Sequence, residues 1–123
     1  MKLRIRGNSL RLRLKRGEVE RLAAGNKLVE KTQFPGSVLS YSLELSDNDD
    51  MLASFDDGGI AVSMPREIIP EWADTDLVSL YSEQKLPDDS LLSILVEKDF
   101  SCLEPGHHRD CDEDADTYPH PSA

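Results

Sequence analysis

Four arginines near the start of the chain have the side chains and the spacing best suited to binding chemistry. Arg4, Arg6, Arg11 and Arg13 each alternate with an apolar residue. A period of two is the period of a β-strand, so the four guanidinium groups share one side of a predicted hairpin. We call these four residues the arginine face, which Lys2 and Lys15 extend. An array of guanidinium groups favours two-pronged contacts to phosphate or carboxylate. The sequence therefore predicts an anion-binding site for an anionic ligand or an acidic protein partner.

The same arginines have a second interpretation. Alternating cations also keep the outer side of a sheet in water, with their aliphatic stems covering apolar surface. No aromatic residue interleaves with the arginine face, which disfavours binding of single-stranded nucleic acid. The choice between an anion site and a solvated sheet depends on the surroundings of the arginines.

The only other candidate ligands lie near the C-terminus. Cys102, His107, His108 and Cys111, with His120 beyond them, have side chains that bind zinc. Eight residues separate the two cysteines, whereas zinc knuckles use two. The spacing favours a polar tail with incidental histidines, and we predict no cofactor.

Charge is distributed unevenly along the chain. The net charge is −10, yet residues 1–31 carry ten Lys or Arg against three Glu, a balance of +7. Residues 32–123 carry four Lys or Arg against 21 Asp or Glu, a balance of −17. An acidic run near the C-terminus is one place where that charge concentrates, and we expect it either to lie on the arginine face or simply to keep the protein soluble. The run consists of Asp110, Asp112, Glu113, Asp114 and Asp116.

Catalytic motifs are absent from the sequence. The chain has no G-x-S-x-G, no Gly-rich phosphate loop, and no histidine before His107. Glu30-Lys31 and Glu97-Lys98 fall at roughly equivalent places in the two halves and could form an acid–base pair, but surface ion pairs are commoner. The sequence favours a protein that is not an enzyme and predicts no catalytic residue.

The elements that position the arginine face are predicted by periodicity. Gly7-Asn8 separates the two alternating runs and suits a tight hairpin turn. Val19, Leu22 and Ala23 then recur at helical spacing, although no good N-cap residue precedes them. Together these residues predict two strands followed by a short helix.

A shift of fifty residues brings the pattern back. Phe55 then aligns with Ile5, and Asp57-Gly58 aligns with Gly7-Asn8. After the helix, Leu77-Val78 is predicted to match Leu28-Val29, and residues 92–98 to match 39–45. Each copy would contain two strands, a helix and two strands, which predicts a pseudo-twofold domain.

We therefore predict an α+β fold: a mainly antiparallel sheet or half-open barrel of about eight strands with two short helices. The domain would span residues 1–103, with half-repeats at about 1–46 and 51–100. The last strand, Leu91–Phe100, is the most apolar and is predicted to be central. Residues 104–123 are acidic, rich in proline and predicted to be disordered.

The sequence also predicts the compartment. The opening residues lack the apolar core of a secretory leader, and the longest apolar run is too short to span a membrane. Two cysteines without such a leader indicate a cytoplasmic protein with reduced thiols.

Three segments together carry a family resemblance: the opening K-L-R-I-R-G-N-S-L-R-L-R-L, the later E-K-D-F-x-C-L (Glu97 to Leu103) and the closing acidic D-A-D-x-Y-P. The chain resembles a family of short bacterial proteins of unknown function. The resemblance implies a small cytosolic bacterial domain and supplies no activity and no functional residues.

These observations favour a small, non-enzymatic binding or adaptor module that uses the arginine face. A small phosphate-ester or nucleotide-handling enzyme with carboxylates near Glu30 and Glu97 is the first alternative. A structural homodimer joined through strand edges is the second.

Overall fold

The computed structural model describes residues 1–75 and 78–99 as eight strands and two short helical segments. The first half of the chain contributes β1 Lys2–Arg6, β2 Ser9–Leu14, α1 Arg16–Ala23, β3 Leu28–Phe34 and β4 Ser37–Ser46. The second half contributes β5 Leu52–Asp56, β6 Gly59–Pro65, a 3₁₀ turn Arg66–Ile68, α2 Ile69–Ala73, β7 Ser79–Lys85 and β8 Leu91–Lys98. The order of strands and helices is the same in both halves, which confirms the predicted repeat.

The eight strands form two four-stranded sheets. Sheet A has the order β1-β2-β8-β7, and sheet B has the order β3-β4-β6-β5. Each sheet joins the opening hairpin of one half to the closing hairpin of the other half, so the two sheets correspond strand for strand. The hairpins are antiparallel, but the central pairs, β2 with β8 and β4 with β6, are parallel.

The predicted α+β class is confirmed, and so is the central position of the last strand. The described strands do not close into a barrel, because hydrogen bonding between strands stops at the edges of the two sheets. Parallel strands need a crossover connection, which is residues 15–90 between β2 and β8 and residues 47–58 between β4 and β6.

Both opening hairpins turn where the sequence predicts. Gly7 adopts a φ of 54°, and its counterpart Asp57 adopts a φ of 50° followed by Gly58 at 74°. Positive φ at these positions matches the right-handed twist of the flanking strands. The second turn also lies close to the neighbouring strand, since a Cβ added to Gly58 would lie 3.0 Å from the Val38 carbonyl oxygen.

One predicted alignment between the halves is wrong. Leu28 pairs with Leu43 in sheet B, and the equivalent pair in sheet A is Leu80 with Val96. Leu80, rather than Leu77, is therefore the counterpart of Leu28. The connection after α2 is longer than that after α1, and a longer loop shifts the alignment without changing which face is buried.

The two helices begin differently, for reasons visible in the sequence. Glu18 in the first turn of α1 accepts a hydrogen bond from the Lys15 N–H (2.9 Å), which replaces a conventional N-cap residue. Pro70 falls in the first turn of α2, where its missing N–H is harmless, and the residues before it wind as a 3₁₀ turn. None of the helices in the described residues combines the length and the apolarity needed to cross a membrane.

The core lies between the inner faces of the two sheets and the two helices. The fully buried side chains come from both halves: Leu12, Leu14, Leu22, Leu43, Val62, Met64, Trp72, Ile94 and Val96. Because each strand alternates, burying these residues forces their neighbours on β2 and β8 onto the outer side of sheet A. The core therefore decides where the arginine face lies.

Polar contacts join the sheet edges where β1 meets β3. The Met1 ammonium pairs with the Glu18 carboxylate and lies 3.2 Å from Glu30 Oε2, while the Tyr41 hydroxyl donates to the Met1 carbonyl. Burial raises the pKa of Glu18. Hydrogen bonds from the Met1 ammonium and the Lys15 N–H lower that pKa by more than burial raises it, so the net shift is downward. The carboxylate of Glu18 thus stays ionised inside this edge.

The other pair of edges, β5 and β7, is joined by one side chain. Gln84 accepts a hydrogen bond from the Ala53 N–H (2.7 Å) and donates one to the Ala53 carbonyl (3.2 Å). The amide thereby satisfies both backbone groups of an edge residue, as a neighbouring strand would.

Gln84→Ala removes both hydrogen bonds and is expected to lower the free energy of unfolding by about 1–2 kcal/mol. Urea unfolding monitored by Trp72 fluorescence measures the change. Gln33→Ala is the matched control, because the Gln33 amide also contacts only backbone oxygens, those of Phe34 and Ser37, but at an exposed turn. An equal loss for both variants would show that the bridge between the edges contributes nothing.

Candidate anion-binding face

The strand register places the whole arginine face on the outer side of sheet A. Arg4 lies directly opposite Arg11, and Lys2 lies directly opposite Arg13. Arg6 follows on the same side of β1, next to the turn. Lys15, by contrast, follows β2 as the residue before α1. The structure therefore brings the four predicted arginines and Lys2 together and separates Lys15 from the sheet.

An acidic residue from the far end of the chain lies inside this array. Glu97 on β8 pairs in register with Arg13, so both side chains project from the same side. Its Oε1 accepts hydrogen bonds from Arg11 Nε (2.7 Å), Arg13 Nε (3.0 Å) and Arg13 Nη2 (2.8 Å). The side chains of Glu97 and Arg13 are each only 11% exposed, and that of Arg11 is 31% exposed. Glu97 therefore holds two of the four arginines in fixed positions.

The charge state of Glu97 follows from these contacts. Burial raises the pKa of the carboxyl group, but hydrogen bonds from Arg11 and Arg13, together with their charges, more than offset that effect. The pKa of Glu97 is therefore lowered from its usual 4.5, and the group is ionised at neutral pH.

The face also contains an aromatic residue that sequence reasoning missed. Arg11 pairs with Leu95 on β8, and Leu95 pairs with Tyr81 on β7, so one row across sheet A runs from Arg4 to Tyr81. Tyr81 is 61% exposed, and its hydroxyl lies 3.1 Å from Glu83 Oε2 and 3.3 Å from Ser93 Oγ. The parity of β7 puts Tyr81 on the outer side, but only the strand order puts it near the arginines.

Sheet B shows what this scaffold looks like without the cations. A shift of fifty residues replaces Lys2, Arg4, Arg6, Arg11 and Arg13 by Leu52, Ser54, Asp56, Ala61 and Ser63. The residue equivalent to Glu97 is the exposed Glu44, which makes no ion pair with another described residue. None of these five equivalent positions of sheet B carries a cation. The fold itself does not require the arginines.

The predicted zinc ligands Cys102, His107, His108 and Cys111 lie outside the described residues. Within residues 1–75 and 78–99, no group of three or more His, Cys, Asp or Glu side chains is arranged to hold a metal ion.

Glu30 and Glu97, the carboxylates named for the enzyme alternative, do not meet in the structure. Glu30 lies on β3 of sheet B, on the same side as the buried Leu28, and contacts the Met1 ammonium. Glu97 lies on the outer side of sheet A and contacts two arginines. The two carboxylates therefore belong to different sheets and face different surroundings.

A cleft of about 750 Å³ lies between α1 and α2 at the end of β2 and β8. Its charged lining has both signs, since Arg16 and Lys98 face Glu20, Asp74 and Asp99. A lining of this kind shows no preference for anions or cations, whereas the arginine face does.

Glu97→Gln is expected to lower the free energy of unfolding by about 1–3 kcal/mol at pH 7, because two partly buried arginines lose an ionised acceptor. The folded pKa of Glu97 is lowered, so its stabilising effect is fully present well above pH 4.5. It is lost as the pH falls from there through the folded pKa. The difference between wild type and variant should therefore shrink below pH 4.5.

Urea unfolding at several pH values between neutrality and pH 3 measures this difference. Glu44→Gln is the matched control, since it changes the equivalent exposed residue of sheet B, and it should alter stability by less than about 0.5 kcal/mol. Parallel pH curves for wild type and Glu97→Gln would contradict the ion-pair assignment.

Comparison with known proteins adds a family without adding an activity. The model of a family of unknown function (DUF7009) matches residues 1–122. Neither the curated proteins nor the solved structures include a significant match to the chain. Since the family match covers nearly the whole sequence, the chain belongs to this family of unknown function.

Proposed function

We propose that this protein is a small non-enzymatic binding module whose arginine face holds a compact polyanion. One observation carries the proposal: Arg4 lies opposite Arg11, and Lys2 lies opposite Arg13, so two like-charge pairs face each other across β1 and β2. Like charges directly opposite each other destabilise an antiparallel pair. The equivalent positions of sheet B avoid such pairs altogether. A ligand with several negative groups offsets this repulsion.

The spacing of the cations indicates the class of ligand. Opposed side chains lie about 5 Å apart across the strands, and alternate residues lie about 6.7 Å apart along a strand. Neighbouring cations can therefore contact separate anionic groups of one molecule, such as the phosphates of a short polyphosphate. Guanidinium groups match such oxygens with two parallel hydrogen bonds.

Glu97 supports this assignment through preorganisation. Its Oε1 atom accepts three hydrogen bonds from Arg11 and Arg13 and restricts both side chains before a ligand arrives. Ordering long side chains at an interface costs free energy, so arginines that are already ordered bind more tightly. Arg4 and Arg6 on the edge strand are exposed and complete the contact surface.

The enzyme alternative has less support in this structure, because Glu30 and Glu97 do not converge. A cytoplasmic location agrees with the proposal, since soluble polyphosphates and acidic proteins are available there. A homodimer through strand edges is a separate proposal. A measurement of the molecular mass of the protein in solution tests it.

Titration of the full chain with inorganic tripolyphosphate by isothermal calorimetry tests the proposal. We expect binding that weakens steeply between 50 mM and 500 mM salt, because the screening length for exposed charges falls from about 14 Å to about 4 Å over that range. Added chelator should change nothing. Arg4→Gln combined with Arg6→Gln should weaken binding roughly tenfold, the effect of about 1.4 kcal/mol.

Lys27→Gln combined with Lys31→Gln removes the same charge from outside the face and is the matched control. Both lysines are exposed, and Lys31 lies on the outer side of sheet B. Equal weakening by the two double variants would contradict a localised site and leave only an effect of net charge. Release of phosphate that depends on a divalent metal would favour the enzyme alternative.

A further inference from the structure

We infer that the ligand of the arginine face is a nucleoside polyphosphate, whose base stacks on Tyr81 while its phosphates contact the arginines. This inference rests on the proposed function, because it takes the arginine face as the place where the phosphates bind. It goes further by assigning a planar aromatic group to the ligand. Three observations support it: the row in which Tyr81 lies, the position of its ring, and the distribution of charge across sheet A.

One row across the outer side of sheet A joins cations to an aromatic ring. Arg4 pairs with Arg11, and Arg11 pairs with Leu95 on β8. Leu95 pairs in turn with Tyr81 on β7. Neighbouring strands lie about 4.8 Å apart, so the backbone of Tyr81 lies about 10 Å from that of Arg11 and about 14 Å from that of Arg4. A nucleoside triphosphate is elongated in the same sense, with its base at one end and its phosphates at the other.

The Tyr81 ring lies along the surface of the sheet. Its hydroxyl donates to Glu83 Oε2 at 3.1 Å and lies 3.3 Å from Ser93 Oγ. Because serine has a short side chain, a hydroxyl beside Ser93 Oγ is held close to the strands. Tyr81 is nevertheless 61% exposed, so one face of its ring is turned towards solvent. An aromatic face presented in this way can stack with the planar ring of a nucleobase.

Charge across the sheet gives the ligand a direction. The cations lie on β1 and β2, whereas the outer side of β7 carries the carboxylate of Glu83. Lys85, on the same side of β7, pairs with Asp89 at 3.3 Å. Phosphates are therefore drawn towards β1 and β2, and the half-buried Leu95 lies between them and the ring. A carboxylate accepts hydrogen bonds, so Glu83 suits the ribose hydroxyls or an amino group of the base.

The equivalent row of sheet B has neither a cation nor an aromatic ring. It consists of Ser54, Ala61, Ser42 and Val29. Val29 is the counterpart of Tyr81, because each follows the equivalent buried leucine on its strand. The fold therefore requires neither the arginines nor the ring, and both occur on the same side of the same sheet.

Isothermal calorimetry of the full chain with ATP, in the presence of a chelator, tests the inference. Tyr81→Leu removes the ring and should weaken ATP binding about fivefold, the lower end of the effect of stacking one base on an aromatic side chain. The same variant should leave the binding of inorganic tripolyphosphate unchanged. Tyr81→Phe keeps the ring and should retain most of the ATP affinity. Phe55→Leu is the matched control, because it removes an exposed aromatic residue from sheet B.

Nuclear magnetic resonance locates the base directly. The ring current of adenine should shift the signals of the Tyr81 ring and the Leu95 methyl groups when ATP is added. Tripolyphosphate should shift the signals of Arg4 and Arg11 but should not move those of the Tyr81 ring upfield. The ring signals of Phe55 should stay in place with either ligand.

The outcomes separate this inference from the proposed function. If tripolyphosphate binds but Tyr81→Leu leaves ATP binding unchanged, or weakens it no more than Phe55→Leu does, the nucleotide assignment is refuted and the binding function stands. Failure of both anions to bind would refute both. ATP binding that requires Tyr81 but is unaffected by Arg4→Gln combined with Arg6→Gln would also refute both. A short single-stranded oligoadenylate that binds more tightly than ATP would overturn the assignment to a single nucleotide.

Discussion

The parallel pairing of the central strands is the constraint on which the rest of this structure depends. Strand β2 pairs with β1 on one side, and on its other side it pairs with β8, a strand far along the chain. Strand β4 pairs in the same way with β3 and with β6. Each half of the chain supplies one hairpin to each sheet, so neither half completes a sheet alone. The contact between Arg11 and Glu97 spans 86 residues for this reason. Contacts of this length close large loops before they contribute stability, so the two halves are expected to fold as one cooperative unit.

The parallel pairing of β2 with β8 also brings the carboxylate of Glu97 to the opposed cations of β1 and β2. Two like charges about 5 Å apart repel by roughly 0.8 kcal/mol in water, and the arginine face contains two such cross-strand pairs. Glu97 offsets part of that repulsion for Arg11 and Arg13. Sheet B solves the same structural problem with Ser54 and Ala61. The opposed cations of sheet A are therefore a property of this sequence and not a requirement of the fold.

Local sequence patterns predicted most of the elements, because hairpins depend on residues that are near each other in the chain. The turns at Gly7-Asn8 and Asp57-Gly58, the buried parity of β2 and the short second helix all follow from such patterns. Partner choice between β2 and β8 follows from how the two halves fit together, which no local pattern encodes. For that reason local patterns neither bring Glu97 to the arginines nor connect Tyr81 with the face. The repeat does carry information about strand order. When each half gives its closing hairpin to the sheet of the other half, both sheets acquire the same strand order.

The charge of the rest of the chain bears on which anions the face can hold. Residues 32–123 carry a balance of −17, while five of the 14 Lys and Arg residues lie on the outer side of sheet A. At physiological salt, exposed charges act over about 8 Å, so the cations of the arginine face act mainly on groups close to them. Under the proposed function, a compact polyanion would stay within that range and contact mainly arginine. A long nucleic acid would extend beyond it and meet the acidic remainder of the surface, so its additional phosphates would be repelled. The same screening weakens attraction at a distance, so the proposed binding would depend on direct contact with the arginines more than on long-range steering.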